Sequence, residues 1–155
     1  MANFTQEQEQ AIFTHDKNLI VVAGAGSGKT RVLVERYLDL LDKNRDWRLN
    51  QIVAITFTRE AAFEMRHRVR QELEHKVQHP ENDSERRHWS DLLSQMDSAR
   101  IDTIHGMCAT ILRANAASAR VDPSFDVLEP IEADSLLSAI IDAQLQALAD
   151  DDTHN

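Results

Sequence analysis

The chain has 155 residues, 26 acidic and 17 basic, a net charge of −9 and a single cysteine, Cys108. That is enough chain for one domain with a core of its own, or for part of one. The lone cysteine excludes an internal disulfide, the polar start TQEQEQ is not a signal peptide, and no apolar run is long enough to cross a bilayer, so the chain reads as soluble and cytoplasmic with no membrane partner.

The charge is unevenly placed. Residues 1–58 hold 7 acidic and 7 basic side chains and residues 59–120 hold 10 of each, whereas the last 35 residues hold 9 acidic and no Lys or Arg. An acidic total argues against nucleic acid. Here that argument applies to the tail alone, and the first 120 residues remain free to make local basic contacts.

Taken in chain order, Phe4–Thr14 reads as a short helix with Thr5 as its cap and Ala11 and Ile12 on the apolar side. Leu19–Val22 reads as a short buried parallel strand. A glycine-rich turn follows (Gly24, Gly26, Gly28), then Lys29, Thr30 and an amphipathic helix to about Leu41 that buries Val32, Leu33, Tyr37, Leu40 and Leu41. Strand, glycine loop and helix in that order is the context of a nucleoside-triphosphate phosphate loop. Curled backbone N–H groups and a helix N-terminus would face one anion. Lys29 would reach the outer phosphates and the Thr30 hydroxyl would ligate Mg²⁺. The strict GxxxxGK[ST] pattern wants glycine at position 23, where this chain has Ala23, a small residue compatible with the turn.

Asp42–Asn50 reads as a loop and Ile52–Phe57 as a second strand, apolar on both faces. Arg59–Val77 is predicted as a strong helix, with Ala61, Met65, Val69, Leu73 and Val77 as its core stripe. A break at Pro80–Ser84 leads into a helix with Trp89, Leu92, Leu93 and Met96. Ala99–Ile104 is a third strand, followed by a helix from about Gly106 to Ala119. Past Pro123 and Pro130, a last helix aligns Leu137, Ile140, Ile141, Leu145 and Leu148. Strands alternating with helices indicate an α/β protein with a parallel sheet flanked by helices.

Several residues carry candidate chemistry, each beside a plainer reading. Gln8 offers a donor and an acceptor that match the edge of adenine, or is a solvated helix residue. Phe57, Thr58 and Arg59 follow the second strand at its C-terminal end, where open α/β sheets bind ligands. An aromatic, a hydroxyl and a guanidinium suit single-stranded nucleic acid, whereas the plainer alternative is a core Phe57 and an ordinary helix start. Thr103 and His105 repeat the arrangement at the third strand, with a helix-capping Thr and a satisfied His as the alternative. His75 and His79 sit at a polar helix end without a cysteine pair, so metal binding is not indicated. Cys108, on the apolar side of a helix pattern, is not a nucleophile candidate. No Asp-Glu pair occurs in the sequence, and neither a second acidic site on a strand end nor an arginine finger can be assigned.

Together these segments resemble the N-terminal part of superfamily 1 DNA helicases of the UvrD/Rep type, closest in flavour to helicase–nuclease subunits of the RecB/AddA kind. FTQEQEQAI resembles the Q motif, AGAGSGKTR motif I and AITFTREAAFEMRHRV motif Ia. IDTIHGMCATILR resembles the motif after it, and DPSFDVLEPIEA a stretch common before the inserted helical subdomain. The resemblance implies a RecA-like P-loop ATPase domain in part, residues 1–120, and the start of an inserted subdomain, residues 121–155. It implies ATP and Mg²⁺ as cofactors, with Gln8, Ala25, Gly26, Ser27, Gly28, Lys29, Thr30 and Arg31 around the nucleotide. Lys29 and Thr30 would be the catalytic members, with Phe57, Thr58, Arg59, Thr103 and His105 on single-stranded DNA or a strand junction. Three-prime to five-prime translocation on DNA, in repair or recombination, is the implied activity. The magnesium motif, arginine finger and second RecA-like domain are expected beyond Asn155, in the remainder of the helicase chain. A further partner is expected in the form of a nuclease or helicase subunit. On that reading the 155 residues alone are inactive. The competing readings are a non-enzymatic nucleotide- or partner-binding module and a small P-loop phosphotransferase.

Overall fold

A computed structural model of the chain describes residues 4–24 and 26–152. They divide into two compact units, one ending at Cys108 and the other beginning at Ala109.

The first unit opens with α1 (Gln6–Phe13), which Thr5 caps in a reciprocal box. The Thr5 hydroxyl accepts from the Gln8 N–H at 3.3 Å while the Gln8 side-chain oxygen accepts from the Thr5 N–H at 2.9 Å. Helix α2 (Lys29–Lys43), a short 3-10 turn at Leu49–Gln51 and strand β1 (Val53–Thr56) follow. Helices α3 (Arg59–Gln78) and α4 (Asp83–Ser94) then cross over to strand β2 (Arg100–Thr103), which leads directly into α5 (Ile104–Ala114). The two strands pair in parallel, Val53 opposite Arg100 and Thr56 opposite Thr103. Parallel pairing requires a long crossover, and α3 and α4 supply it. Thr58 and Asn82 set the starts of those helices by accepting from the N–H groups of Ala61 and Glu85.

The main core draws Val34, Tyr37, Leu38 and Leu41 from α2, Met65, Val69 and Leu73 from α3, Trp89 and Leu92 from α4, and Ala54 and Ile101 from the strands. Each such large side chain contributes about 1.5–3 kcal/mol on burial. A second, smaller cluster joins Ala11 and Ile12 of α1 to Val32 of α2, with Phe4 against it. Helix α2 therefore serves two cores at once. This corrects the stripe expected from its sequence: Val34 and Leu38 are buried, while Leu33 is exposed and Leu40 only half-buried. On α3 the stripe begins at Ala62 rather than Ala61, Met65, Val69 and Leu73 are buried as expected, and Val77 is only partly buried. The buried Tyr37 hydroxyl donates to the Leu49 carbonyl at 3.3 Å, and burial pushes its pKa up to about 12.

The expected strand at Leu19–Val22 does not form. The segment has no regular secondary structure and joins no ladder among the described residues, and Ile20 and Val22 are 94% and 93% exposed. An apolar run becomes a buried strand only when neighbours supply both hydrogen-bond partners and cover. Among the described residues the sheet has two strands, which pair with each other and leave this segment without a neighbour. The sheet is also covered on one side only. Ala54 and Ile101 pack inward, while Val53 and Ile55 on the other face of β1 remain exposed, against the expectation of a strand buried on both faces.

The helix expected to run to Ala119 breaks at Asn115, so that α5 ends at Ala114 and the single turn α6 (Ala116–Ala119) follows in the second unit. Arg120, in the left-handed region at φ 56°, closes α6, and the Val121 N–H reaches back to the Ala116 carbonyl. Arg113 donates to the Phe125 carbonyl at 3.0 Å and lies over its ring. Helix α7 (Pro130–Asp152) carries Leu137, Ile140, Ile141 and Leu145 exposed along its length; the side chain of Leu148 falls outside the described residues.

Candidate functional site

The glycine turn is built around two residues with positive φ, Gly26 at 75° and Gly28 at 80°. A side chain at either would be strained, so the turn requires glycine for its backbone angles. Ser27 ties the turn through its hydroxyl, which donates to the Gly24 carbonyl at 2.8 Å. Ala25, also expected around the nucleotide, lies outside the described residues.

Gly28 is the N-cap of α2 and, having no side chain, caps nothing. The first turn also lacks an acidic residue. Its leading N–H groups, on Lys29, Thr30 and Arg31, are thus the orphan donors of a helix start with the positive end of the helix dipole behind them. The Lys29 ammonium folds back over the turn and donates to the carbonyls of Ala23 at 2.9 Å and Gly24 at 2.6 Å. Thr30 is half-buried beside it, and the Arg31 guanidinium lies 4.6 Å over the Phe4 ring. Gln8 reaches the turn from α1: its amide nitrogen donates to the Ser27 carbonyl at 3.1 Å. A cavity of about 580 Å³ opens beside these groups, lined among others by Gln8, Val21, Val22, Lys29, Val32 and Leu33. The structure therefore brings Gln8, Gly26, Ser27, Gly28 and Lys29 together, with Thr30 and Arg31 on the adjoining helical turn.

One turn along α2, burial raises the pKa of Glu35, and the carboxylate of Glu72 adds to the rise. Both line a smaller polar recess of about 380 Å³ with Arg31 and Arg68.

The second group of expected residues lies at the ends of the two strands. Because Thr56 pairs with Thr103, β1 and β2 finish flush, and the residues after each emerge at the same edge. Phe57 is 93% exposed there, Thr58 and Arg59 follow at the start of α3, and His105 is exposed in the first turn of α5. Two hydroxyls at this edge act as caps. Thr58 accepts from the Ala61 N–H at 3.1 Å, and buried Thr103 accepts from the Gly106 N–H at 3.1 Å.

Three residues here escaped sequence reasoning. Phe63, 74% exposed, lies one turn beyond Arg59 on the same face of α3, a spacing legible in REAAF once Phe57 is known to be exposed. Arg66 crosses from α3 to the Ile101 carbonyl of β2 at 2.7 Å. Asp102 packs so closely on Gly106 that any Cβ there would run into its carboxylate. Cys108, expected on an apolar face, is exposed instead. The rings of His75 and His79 stack 4.5 Å apart at the end of α3.

A glycine turn opening a helix, next to a parallel strand pair whose ends share an edge, defines an α/β protein with two candidate contact surfaces. The chain belongs to the UvrD/REP helicase N-terminal domain family, which matches residues 4–155. Among similar proteins, an ATP-dependent helicase/nuclease subunit from Oceanobacillus iheyensis is 38% identical over 156 residues, covering 100% of this chain and 12% of that protein. Its counterpart from Clostridium botulinum (strain Hall), which carries the same name, is 37% identical over 130 residues, covering 83% of this chain and 10% of its own length. The counterpart from Natranaerobius thermophilus is 37% identical over 147 residues, covering 94% and 11%. The chain thus spans about a tenth of the length of these relatives. No helix among the described residues is long and apolar enough to cross a membrane.

Proposed function

We propose that this chain binds ATP·Mg²⁺ at the Gly24–Thr30 turn and single-stranded DNA at the strand-end edge, as the N-terminal part of an ATP-dependent three-prime to five-prime DNA helicase acting in the cytoplasm. The observation that carries the reading is the start of α2, where two left-handed glycines, an uncapped helix N-terminus and the Lys29 ammonium converge. A triphosphate would draw Lys29 off the Ala23 and Gly24 carbonyls, exchanging neutral acceptors for charged ones. Thr30 would give Mg²⁺ one oxygen, with phosphate and water completing its shell, which suits an ion that keeps most of its waters. Gln8 uses one donor on Ser27 and one acceptor position on Thr5, so its amide keeps a second of each, the pair an adenine edge needs.

At the other surface, exposed Phe57 offers a base a stacking face, with Arg59 two residues on and His105 following the paired strand β2 for phosphate. In this reading residues 1–120 belong to a RecA-like nucleotide-binding domain and residues 121–155 begin an inserted subdomain. The partners are the rest of a helicase chain and a nuclease or helicase subunit. No Asp-Glu pair occurs in the sequence to complete magnesium binding and orient water, so binding without turnover is expected of these 155 residues. Titration with a fluorescent ATP analogue tests the loop, and brisk ATP hydrolysis by the chain would overturn the division of labour. Anisotropy with a labelled oligo-dT tests the edge.

The exposed apolar length of α7, in a segment without Lys or Arg, favours a second reading, a module that docks a protein. DNA binding indifferent to Phe57→Ala and His105→Ala would favour it.

A further inference from the structure

Helix α1 is eight residues long, too short to persist on its own, and has no basic residue in its last turn to serve its orphan carbonyls. A guanidinium from α2 does so instead. Arg36 Nη1 donates to the carbonyls of Ala11 at 2.7 Å and Thr14 at 2.6 Å, and approaches that of Ile12 at 3.5 Å. Nη1 carries two N–H donors held in the guanidinium plane, one for each of the two close carbonyls, whereas a lysine ammonium would bring a more flexible and more strongly hydrated head.

The next turns of α2 continue the attachment. Asp39 accepts from His15 Nε2 at 2.5 Å and from Lys43 at 2.8 Å, and Lys43 sits 5.2 Å over the Phe13 ring. One face of α2, from Val32 through Arg36 and Asp39 to Lys43, therefore holds the far end of α1. The near half of α1 carries Gln8 to the glycine turn, where its amide nitrogen lies 3.1 Å from the Ser27 oxygen and 3.5 Å from where a Cβ on Gly28 would stand. A lone exposed hydrogen bond is too weak to hold a helix in place. Phe4, under the Arg31 guanidinium, and the packing of Ala11 and Ile12 on Val32 also hold α1, and the Arg36 bonds secure its far end. Lys29 and Arg36 lie on the same helix, two turns apart, so the loop and the fastening share one rigid body.

We propose that Arg36 is a positioning residue that fixes α1 against α2 and thereby sets Gln8 at the glycine turn, giving the site its preference for the adenine base over other purines. This rests on the nucleotide-binding reading above. Arg36 acts on the base end of the ligand and leaves phosphate binding to Lys29 and the helix start.

The test compares the 155-residue chain with Arg36→Gln, Arg36→Lys and Lys29→Ala, measuring binding of ATP, GTP and inorganic tripolyphosphate by calorimetry and amide hydrogen exchange across residues 6–13. Arg36→Gln is expected to speed exchange in α1 about tenfold or more and to erase the ATP-over-GTP preference, while tripolyphosphate affinity stays within about twofold. Arg36→Lys should restore part of both, and Lys29→Ala should lose all three ligands. Unchanged exchange in Arg36→Gln, or an ATP preference that survives it, overturns the proposal. If the unaltered chain binds tripolyphosphate but does not prefer ATP to GTP, the loop reading stands and the positioning role falls. If it binds none of the three, the nucleotide reading itself fails and takes the positioning role with it.

Discussion

The side-chain amide of Gln8 bridges two structures, accepting from the Thr5 N–H that begins α1 and donating to the Ser27 carbonyl in the glycine turn. The network fixes which end of the amide is oxygen, because the Thr5 N–H needs an acceptor. Gln8→Glu keeps that acceptor and the helix cap but removes the donor to Ser27. We expect it to leave α1 folded and to lower ATP affinity several-fold while sparing tripolyphosphate. Gln8→Ala should lose the cap as well, at about 0.5–1 kcal/mol. Calorimetric titration alongside thermal melts separates the two.

Lys29→Ala removes both bonds from the ammonium to the turn. The side chain is exposed, so stability should change by no more than about 0.5 kcal/mol. Triphosphate binding should fall at least tenfold, about 1.4 kcal/mol. A variant that melts normally and binds ATP normally would remove Lys29 from the site.

The two faces of α2 make separable predictions. Leu73 of α3 and Leu41 of α2 are fully buried in the main core, and Leu41→Ala or Leu73→Ala should cost about 2–5 kcal/mol, a large part of the 5–15 kcal/mol typical of a domain. Leu33→Ala, on the exposed side, should change stability by no more than about 0.5 kcal/mol. Urea denaturation of the three variants checks this, and a large loss at Leu33 would restore the stripe that sequence periodicity suggests.

Gly106→Ala places a methyl group where the Asp102 carboxylate lies, and that carboxylate accepts from the Thr103 N–H at 2.7 Å. Overpacking of this kind costs about 1–3 kcal/mol. Gly106→Ala combined with Asp102→Ala should recover most of the loss, and a double-mutant cycle measures it.

His88 packs edge-on to Trp89 with its Nε2 buried and without a partner among the described residues. Burial lowers its pKa, and the nearby Arg45 guanidinium lowers it further. The unfolded chain therefore takes up this proton before the folded one does. Stability from the neutral ring is complete above the unfolded value of about 6.5 and is lost as pH falls through the lower folded value. Melting temperatures from pH 7.5 to 5 should decline less steeply in His88→Gln than in the unaltered chain, and parallel slopes would exclude His88 as the cause.

What could be read from the sequence was local. Thr5 announces the start of α1 by side-chain capping, and the Met65, Val69, Leu73 spacing announces the buried face of α3. The glycines before Lys29 mark the turn because positive φ is costly for other residues. The Leu19–Val22 run misled because strand formation depends on neighbours the run does not encode. On α2, Val32, Tyr37 and Leu41 are buried as the spacing suggests, but Val34 and Leu38 replace Leu33 and Leu40 because the helix divides its contacts between two clusters. Arg36 was silent for a different reason. Its bonds to Ala11 and Thr14 span 25 and 22 residues and end on backbone atoms, which carry no side-chain pattern to detect.

The unladdered Leu19–Val22 segment also bears on handling the protein. Among the described residues, amide and carbonyl groups along its length have no partner in any ladder, and greasy side chains flank them, so another molecule can dock there as a surrogate strand. Concentrated samples should thus be prone to oligomers seeded at that stretch, immediately upstream of the glycine turn, and a lysine at Ile20 is the simplest way to discourage them.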